Sequence, residues 1–165
     1  MSYDLTLFRA TPGMSPDDMA YLDDEQRPLL DPTATGRAVA ALRAANPHFD
    51  VFESNDMLEL TDLNDDDEGS GIQVSFYTNS ASVTVPYWYE GKEAARIFAE
   101  IGKYLRIIHA ETGLLCFDPQ RNKYIDAAKG FSAEEIAAYA DITVRSAQQI
   151  QELAQGRAKP WWKFW

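Results

Sequence analysis

Ile72-Gln-Val-Ser-Phe-Tyr-Thr-Asn-Ser-Ala-Ser-Val-Thr-Val-Pro-Tyr-Trp88 alternates apolar and polar side chains on both sides of Asn79-Ser80. A period of two is the signature of a strand with one buried face, and Asn-Ser between two such runs reads as a short hairpin turn. Ile72, Val74 and Phe76, with Val83, Val85 and Tyr87, fall on one face. Gln73, Ser75, Tyr77, Ser82 and Thr84 fall on the other. An antiparallel sheet covered on one side follows.

The cover lies directly downstream. Gly91–Thr112 carries Ile97, Ile101, Leu105 and Ile108 at helical spacing, with Phe98 and Tyr104 alongside, while Arg96, Glu100, Lys103 and Arg106 lie off that stripe. Gly113 supplies the left-handed cap that ends the helix. Working outward, Tyr3–Arg9 reads as a first strand, and Ser15-Pro16 opens a short acidic helix bearing Asp17 and Asp18. An Ala-rich helix spans about Ala34–Ala45 and stops at Asn46-Pro47. His48–Glu53 and Met57–Thr61 form strands around Ser54-Asn55-Asp56, and Leu114–Phe117 forms a last strand before Asp118-Pro119. Ser132–Ala140 and Thr143–Gln155 make a helical pair, with Ser132 and Glu135 as a capping box. The expected fold is α+β: a mainly antiparallel sheet, a long helix on one face and a C-terminal helical pair. Residues 1–130 form the α+β domain, and residues 131–165 a helical hairpin and aromatic tail packed on it.

The chain has 165 residues, enough for one domain with a real core. Its apolar runs are far shorter than the roughly 20 residues of a spanning helix, and MSYDLTLFRA lacks the features of a secretion signal. A single cysteine, Cys116, excludes an internal disulfide and fits a reducing compartment, so the expected location is the cytoplasm. Charge is uneven. Residues 1–70 hold sixteen carboxylates against four arginines, whereas residues 71–165 hold ten against eleven Lys and Arg. A negative field over the first half repels phosphate backbones and steers cationic partners. Asp17, Asp18, Asp23, Asp24 and the run Asp65, Asp66, Asp67, Glu68 are the candidate partner-binding carboxylates.

No constellation for chemistry emerges. Counted from Asp62, a calcium loop would need Gly where Asp67 stands and Glu where Gln73 stands, so Asp62–Glu68 reads as a solvated hairpin loop. Cys116 follows His109 by seven residues, but no third group or oxyanion site accompanies them, and Cys116 lies in an apolar strand. The sequence carries no CxxC, HExxH, GxSxG or phosphate loop. The expectation is a protein without catalytic residues, cofactor or metal.

Glu135-Ile-Ala-Ala-Tyr-Ala-Asp-Ile-Thr-Val-Arg-Ser-Ala147, followed by Ile150, resembles the helix-turn-helix of response-regulator DNA-binding domains, with Asp141 where that family carries Gly. The resemblance implies a regulator reading base edges through Arg145, Ser146, Gln148, Gln149 and Gln151. Residues 131–165 carry four basic and four acidic residues, however, not the positive excess of a groove-binding helix. Lys159-Pro-Trp-Trp-Lys-Phe-Trp165 places four aromatics in five residues, and Trp161, Trp162 and Trp165 are expected to dock on the protein itself or in a partner's groove. Finally, Ser2-Tyr3-Asp4-Leu5 and Gly113-Leu-Leu-Cys-Phe-Asp-Pro-Gln120, at the two ends of this order of elements, resemble small proteobacterial proteins encoded beside toxin and secretion-effector genes, suspected immunity proteins. That resemblance implies a binding module that neutralises a toxin or effector; the acidic first half makes a basic protein the expected partner, and the sequence leaves homo-oligomers open.

Overall fold

The computed structural model describes residues 2–62, 70–86 and 89–141, with the side chain of Asp24 also outside the description. Seven strands among these residues form one sheet in the order β2-β3-β4-β5-β1-β6-β7, every neighbour antiparallel. They are β1 (Ser2–Phe8), β2 (Phe49–Glu53), β3 (Met57–Asp62), β4 (Gln73–Tyr77), β5 (Ser80–Pro86), β6 (Leu115–Asp118) and β7 (Lys123–Ile125). β2 to β5 form the expected meander. β1 is the central surprise: it fills the slot between β5 and β6, with Leu5 opposite Val83 and Leu7 opposite Cys116.

Helices cover one face. α3 (Gly91–Thr112) buries Ile97, Phe98, Ile101, Tyr104, Leu105 and Ile108, the anticipated stripe, and ends on Gly113 at φ 68°, whose N–H donates to the His109 carbonyl. α2 (Pro32–Ala45) packs beside it and starts two residues before the Ala-rich run. Asp31 explains the shift: its side chain accepts the Thr33 N–H at 2.9 Å, and Pro32 suits the first helical position. α4 occupies residues 133–141, and its capping box forms as read, with Ser132 Oγ accepting the Glu135 N–H at 3.2 Å and Glu135 Oε2 accepting the Ser132 N–H at 2.9 Å. α3 and α4 pack together: Tyr139 is fully buried, stacked on Phe98 with ring centroids 4.9 Å apart. The described part of residues 131–141 thus shares the main core. The second helix of the expected pair, from Thr143, lies outside the described residues.

The seam between α3 and the 130–131 turn is tight. Gly130 has φ 70°, and a Cβ there would come within 2.8 Å of the Gly102 carbonyl oxygen. Gly130→Val therefore combines left-handed strain with a backbone clash, and is expected to cost at least about 2 kcal/mol in urea denaturation. A midpoint equal to wild type would show that this seam can open freely.

The opposite sheet face is covered only in part by the described residues. α1 (Pro16–Ala20) lies over one end of it, where Met19 meets Phe8 and Phe117 in a second, smaller apolar cluster. Ser15 caps α1 as expected, accepting the Asp18 N–H at 3.2 Å. Tyr124 of β7 donates to the Pro16 carbonyl at 2.5 Å, tying the helix to the sheet edge. Ser75, expected on the wetter face, is nonetheless buried and donates to Glu59 Oε2 at 3.3 Å.

Candidate functional site

The carboxylates come first, because they carry the strongest signal in the sequence. Asp17 and Asp18 project from α1, Asp23 follows it, and Glu25, Asp31, Asp50, Glu53 and Asp56 are likewise exposed. None of these eight makes an ion pair among the described residues. The ion pairs seen between described residues use Glu93, Glu100, Glu111, Asp126 and Glu135, all from the second half. Three of the four first-half arginines are meanwhile engaged: Arg9 donates to the Leu29 carbonyl at 3.0 Å, Arg27 lies over the Phe8 ring at 4.6 Å, and Arg37 pairs with Glu111 at 3.0 Å. Among the described residues, these exposed carboxylates therefore have no ion-pair partner. Asp65, Asp66, Asp67 and Glu68 lie outside the described residues, as do the Asp24 side chain, Trp161, Trp162 and Trp165.

Beside this surface runs an open groove of about 550 Å³ between the start of α2 and the ends of β2, β3 and β4. Leu29, Val39, Met57, Leu58 and Tyr77 give it apolar walls, and among the described residues its charged lining is Glu53 and Asp56. Leu29 and Tyr77 are 64% and 41% exposed, two of the four large hydrophobics most open to water among the described residues. Such exposure is costly unless something covers it.

A third feature escaped the sequence reading altogether. Asp118 is fully buried, and its Oδ2 accepts the hydroxyls of Tyr3 at 2.5 Å and Tyr139 at 2.9 Å. Its Oδ1 accepts the Arg121 N–H at 3.1 Å, and the Arg121 guanidinium lies 4.8 Å above the Tyr139 ring. In the amide orientation that satisfies both its atoms, Gln120 donates to the Asp4 carbonyl at 2.9 Å and accepts the Asp4 N–H at 3.2 Å. The segments Ser2–Leu5 and Gly113–Gln120, about 110 residues apart in the chain, thus meet at one place. Its centre, Asp118 with the Tyr3 and Tyr139 hydroxyls, is buried, and the network ties β1, β6 and α4 together. A buried carboxylate needs such donors, but nothing in Phe-Asp-Pro names them.

Burial pushes the phenols of Tyr3, Tyr139 and Tyr104 above the ordinary tyrosine range, and the neighbouring Asp118 adds to the first two. A raised folded-state pKa means the unfolded chain loses its phenolic protons first. The associated stability is complete below the unfolded value of about 10, and each phenol withdraws about 1.4 kcal/mol per pH unit above it. Urea midpoints measured from pH 8 to 11.5 should fall, and Tyr3→Phe should fall less steeply. Equal slopes would remove Tyr3 from the linkage.

Cys116 and His109, the pair considered for chemistry, are both engaged. Cys116 is buried, and burial raises its thiol far above the range of a reactive thiolate. His109 Nδ1 lies 2.9 Å from the Leu114 carbonyl oxygen. No group of three His, Cys, Asp or Glu among the described residues could hold a metal, and no helix among them is long and apolar enough to cross a membrane. Of the resemblance to a helix-turn-helix, only the first helix falls within the described residues; Arg145, Ser146, Gln148, Gln149 and Gln151 do not. No family model, curated protein or solved structure matches the chain.

Proposed function

We propose that this chain is a non-enzymatic protein-binding module of the immunity-protein kind, which neutralises a cationic toxin or secreted effector through its acidic surface. One observation supports it above the rest: the exposed carboxylates of the first 62 residues have no ion-pair partner among the described residues, whereas carboxylates from Glu93 onward supply the ion pairs seen. Unpaired like charges repel one another and weaken the fold, so a surface that keeps them is suited to a partner that supplies the missing cations. Asp17, Asp18 and Asp23 would steer the encounter, and the bulk of the domain would then occlude the partner's working site.

The test is an untagged pull-down at low and high salt, followed by rate measurements on what is recovered. Recovery of one basic protein, lost at high salt, is the expected result. The triple reversal Asp17→Lys, Asp18→Lys, Asp23→Lys should lower its association rate by at least about tenfold at low salt. An association rate unchanged by the reversal would sink the acidic-surface mechanism. Retardation of genomic DNA fragments by the intact chain would instead favour the regulator reading.

A further inference from the structure

We propose that a cleft on the open face of the sheet, over β1, β4 and β5, binds a short uncharged saccharide. The cleft has a volume of about 480 Å³, within the range of small-ligand sites. Its lining sets it apart from the apolar groove beside α2. Among the described residues it carries five hydroxyls, from Thr6, Tyr77, Ser80, Ser82 and Thr84. One carboxylate, Asp4, and one guanidinium, Arg27, complete its polar groups. No side-chain hydrogen bond among the described residues engages the five hydroxyls.

Sheet register arranges these groups in a row. Asp4 and Thr6 alternate with the buried Leu5 and Leu7, and Ser82 and Thr84 with the buried Val83 and Val85, so all four point to the open face. Asp4 stands opposite Thr84, Thr6 opposite Ser82, and Phe8 opposite Ser80. Side chains paired across strands lie about 4.5–5.5 Å apart, and successive pairs on one face follow at about 6.8 Å. The two charges hold opposite ends of the row. At one end, Gln120 clamps the Asp4 backbone through two hydrogen bonds. At the other, Arg27 lies over the Phe8 ring at 4.6 Å, and its Nε donates to the Leu22 carbonyl at 3.2 Å. Both ends are therefore fixed before any ligand arrives.

This lining selects its ligand by chemistry. A carboxylate only accepts hydrogen bonds, a guanidinium only donates them, and a hydroxyl does either. One negative and one positive group cancel, which leaves no net charge to hold a phosphate or a polyamine. A sugar hydroxyl can donate to a carboxylate, accept from a guanidinium and do either with Thr6, Ser82 or Thr84, so one repeated group satisfies the whole row. Tyr77, 41% exposed, adds a ring against which the C–H face of a sugar can stack. The inference stands apart from the acidic-partner reading, because Asp17, Asp18 and Asp23 do not line this cleft.

Titration of the full chain with maltotriose, cellobiose and diacetylchitobiose, followed by amide chemical shifts, is the test. At least one is expected to bind with a dissociation constant of about 1 mM or tighter, moving the amides of Thr6, Ser82 and Thr84 most. Ser82→Ala with Thr84→Val should weaken that binding at least about tenfold, because it strips two hydroxyls from the row. Tyr77→Ala should weaken it too, whereas Tyr77→Phe keeps the ring and should bind as wild type. A thermal melt checks that each variant remains folded. Shifts that are absent with all three sugars, centred elsewhere on the molecule, or unchanged in the double variant overturn the site. Triglycine or inorganic phosphate binding in this cleft more tightly than the sugars overturns the ligand class.

Discussion

Asp118→Ala is expected to lower stability by about 4 kcal/mol. The carboxylate is fully buried and accepts three hydrogen bonds, from the Tyr3 hydroxyl, the Tyr139 hydroxyl and the Arg121 N–H. Truncation removes the acceptor of all three bonds at once and leaves the two buried hydroxyls in a site closed to water, where each unsatisfied group costs about 1–3 kcal/mol. Tyr3 and Tyr139 are themselves fully buried, their rings 5.3 Å apart, so neither hydroxyl can turn outward without breaking aromatic packing. For a chain of this size the loss corresponds to a fall in Tm of roughly 8–16 °C. Asp118→Asn keeps acceptor oxygen and should cost less. Tyr3→Phe removes one donor and should cost about 1–2 kcal/mol, because Tyr139 and the Arg121 N–H remain. Chemical denaturation of the four proteins is the check. A ranking in which Asp118→Ala is no worse than Tyr3→Phe would mean the carboxylate does not hold this corner together.

Ile101→Asp is expected to be the more severe change, at least about 5 kcal/mol. Ile101 is 1% exposed on the face of α3 that packs against the sheet. Removing its side chain alone costs about 2–5 kcal/mol, and a carboxylate without a partner in that interface adds several more. Against a total stability of about 5–15 kcal/mol, the variant should be largely unfolded at ordinary temperature. Ala99→Asp, two residues away on the exposed face of the same helix, should change stability by no more than about 0.5 kcal/mol. A melt for Ile101→Asp that matches wild type would remove α3 from the core and overturn the architecture.

Local patterns made much of this fold legible. Ile72–Pro86 alternates because one face of β4 and β5 is buried by α3, and the helical stripe of α3 is the other half of the same burial. Caps were readable where side chain and backbone are neighbours, as at Ser15 and in the Ser132–Glu135 box. β7 was not readable: Lys123-Tyr-Ile125 is too short to show a period, and it pairs only because β6 presents an edge. The groove was equally hidden, since it joins Leu29 from a loop with Val39, Met57 and Tyr77 from three separate elements.

The sequence by itself determined the fold class, the burial of the long helix and the uneven distribution of charge, because these depend on period, composition and neighbours. Only the tertiary structure decided that β1 enters between β5 and β6, since strand order is a choice among distant pairings that alternation leaves equal. It alone decided that Asp118 is buried rather than part of a surface turn, because its donors Tyr3 and Tyr139 lie 115 and 21 residues away. And it alone decided which charges cancel: Arg37 crosses to Glu111, while the exposed carboxylates of the first half find no cation among the described residues. Net charge is a property of composition, but a surface field depends on which side chains the fold brings together.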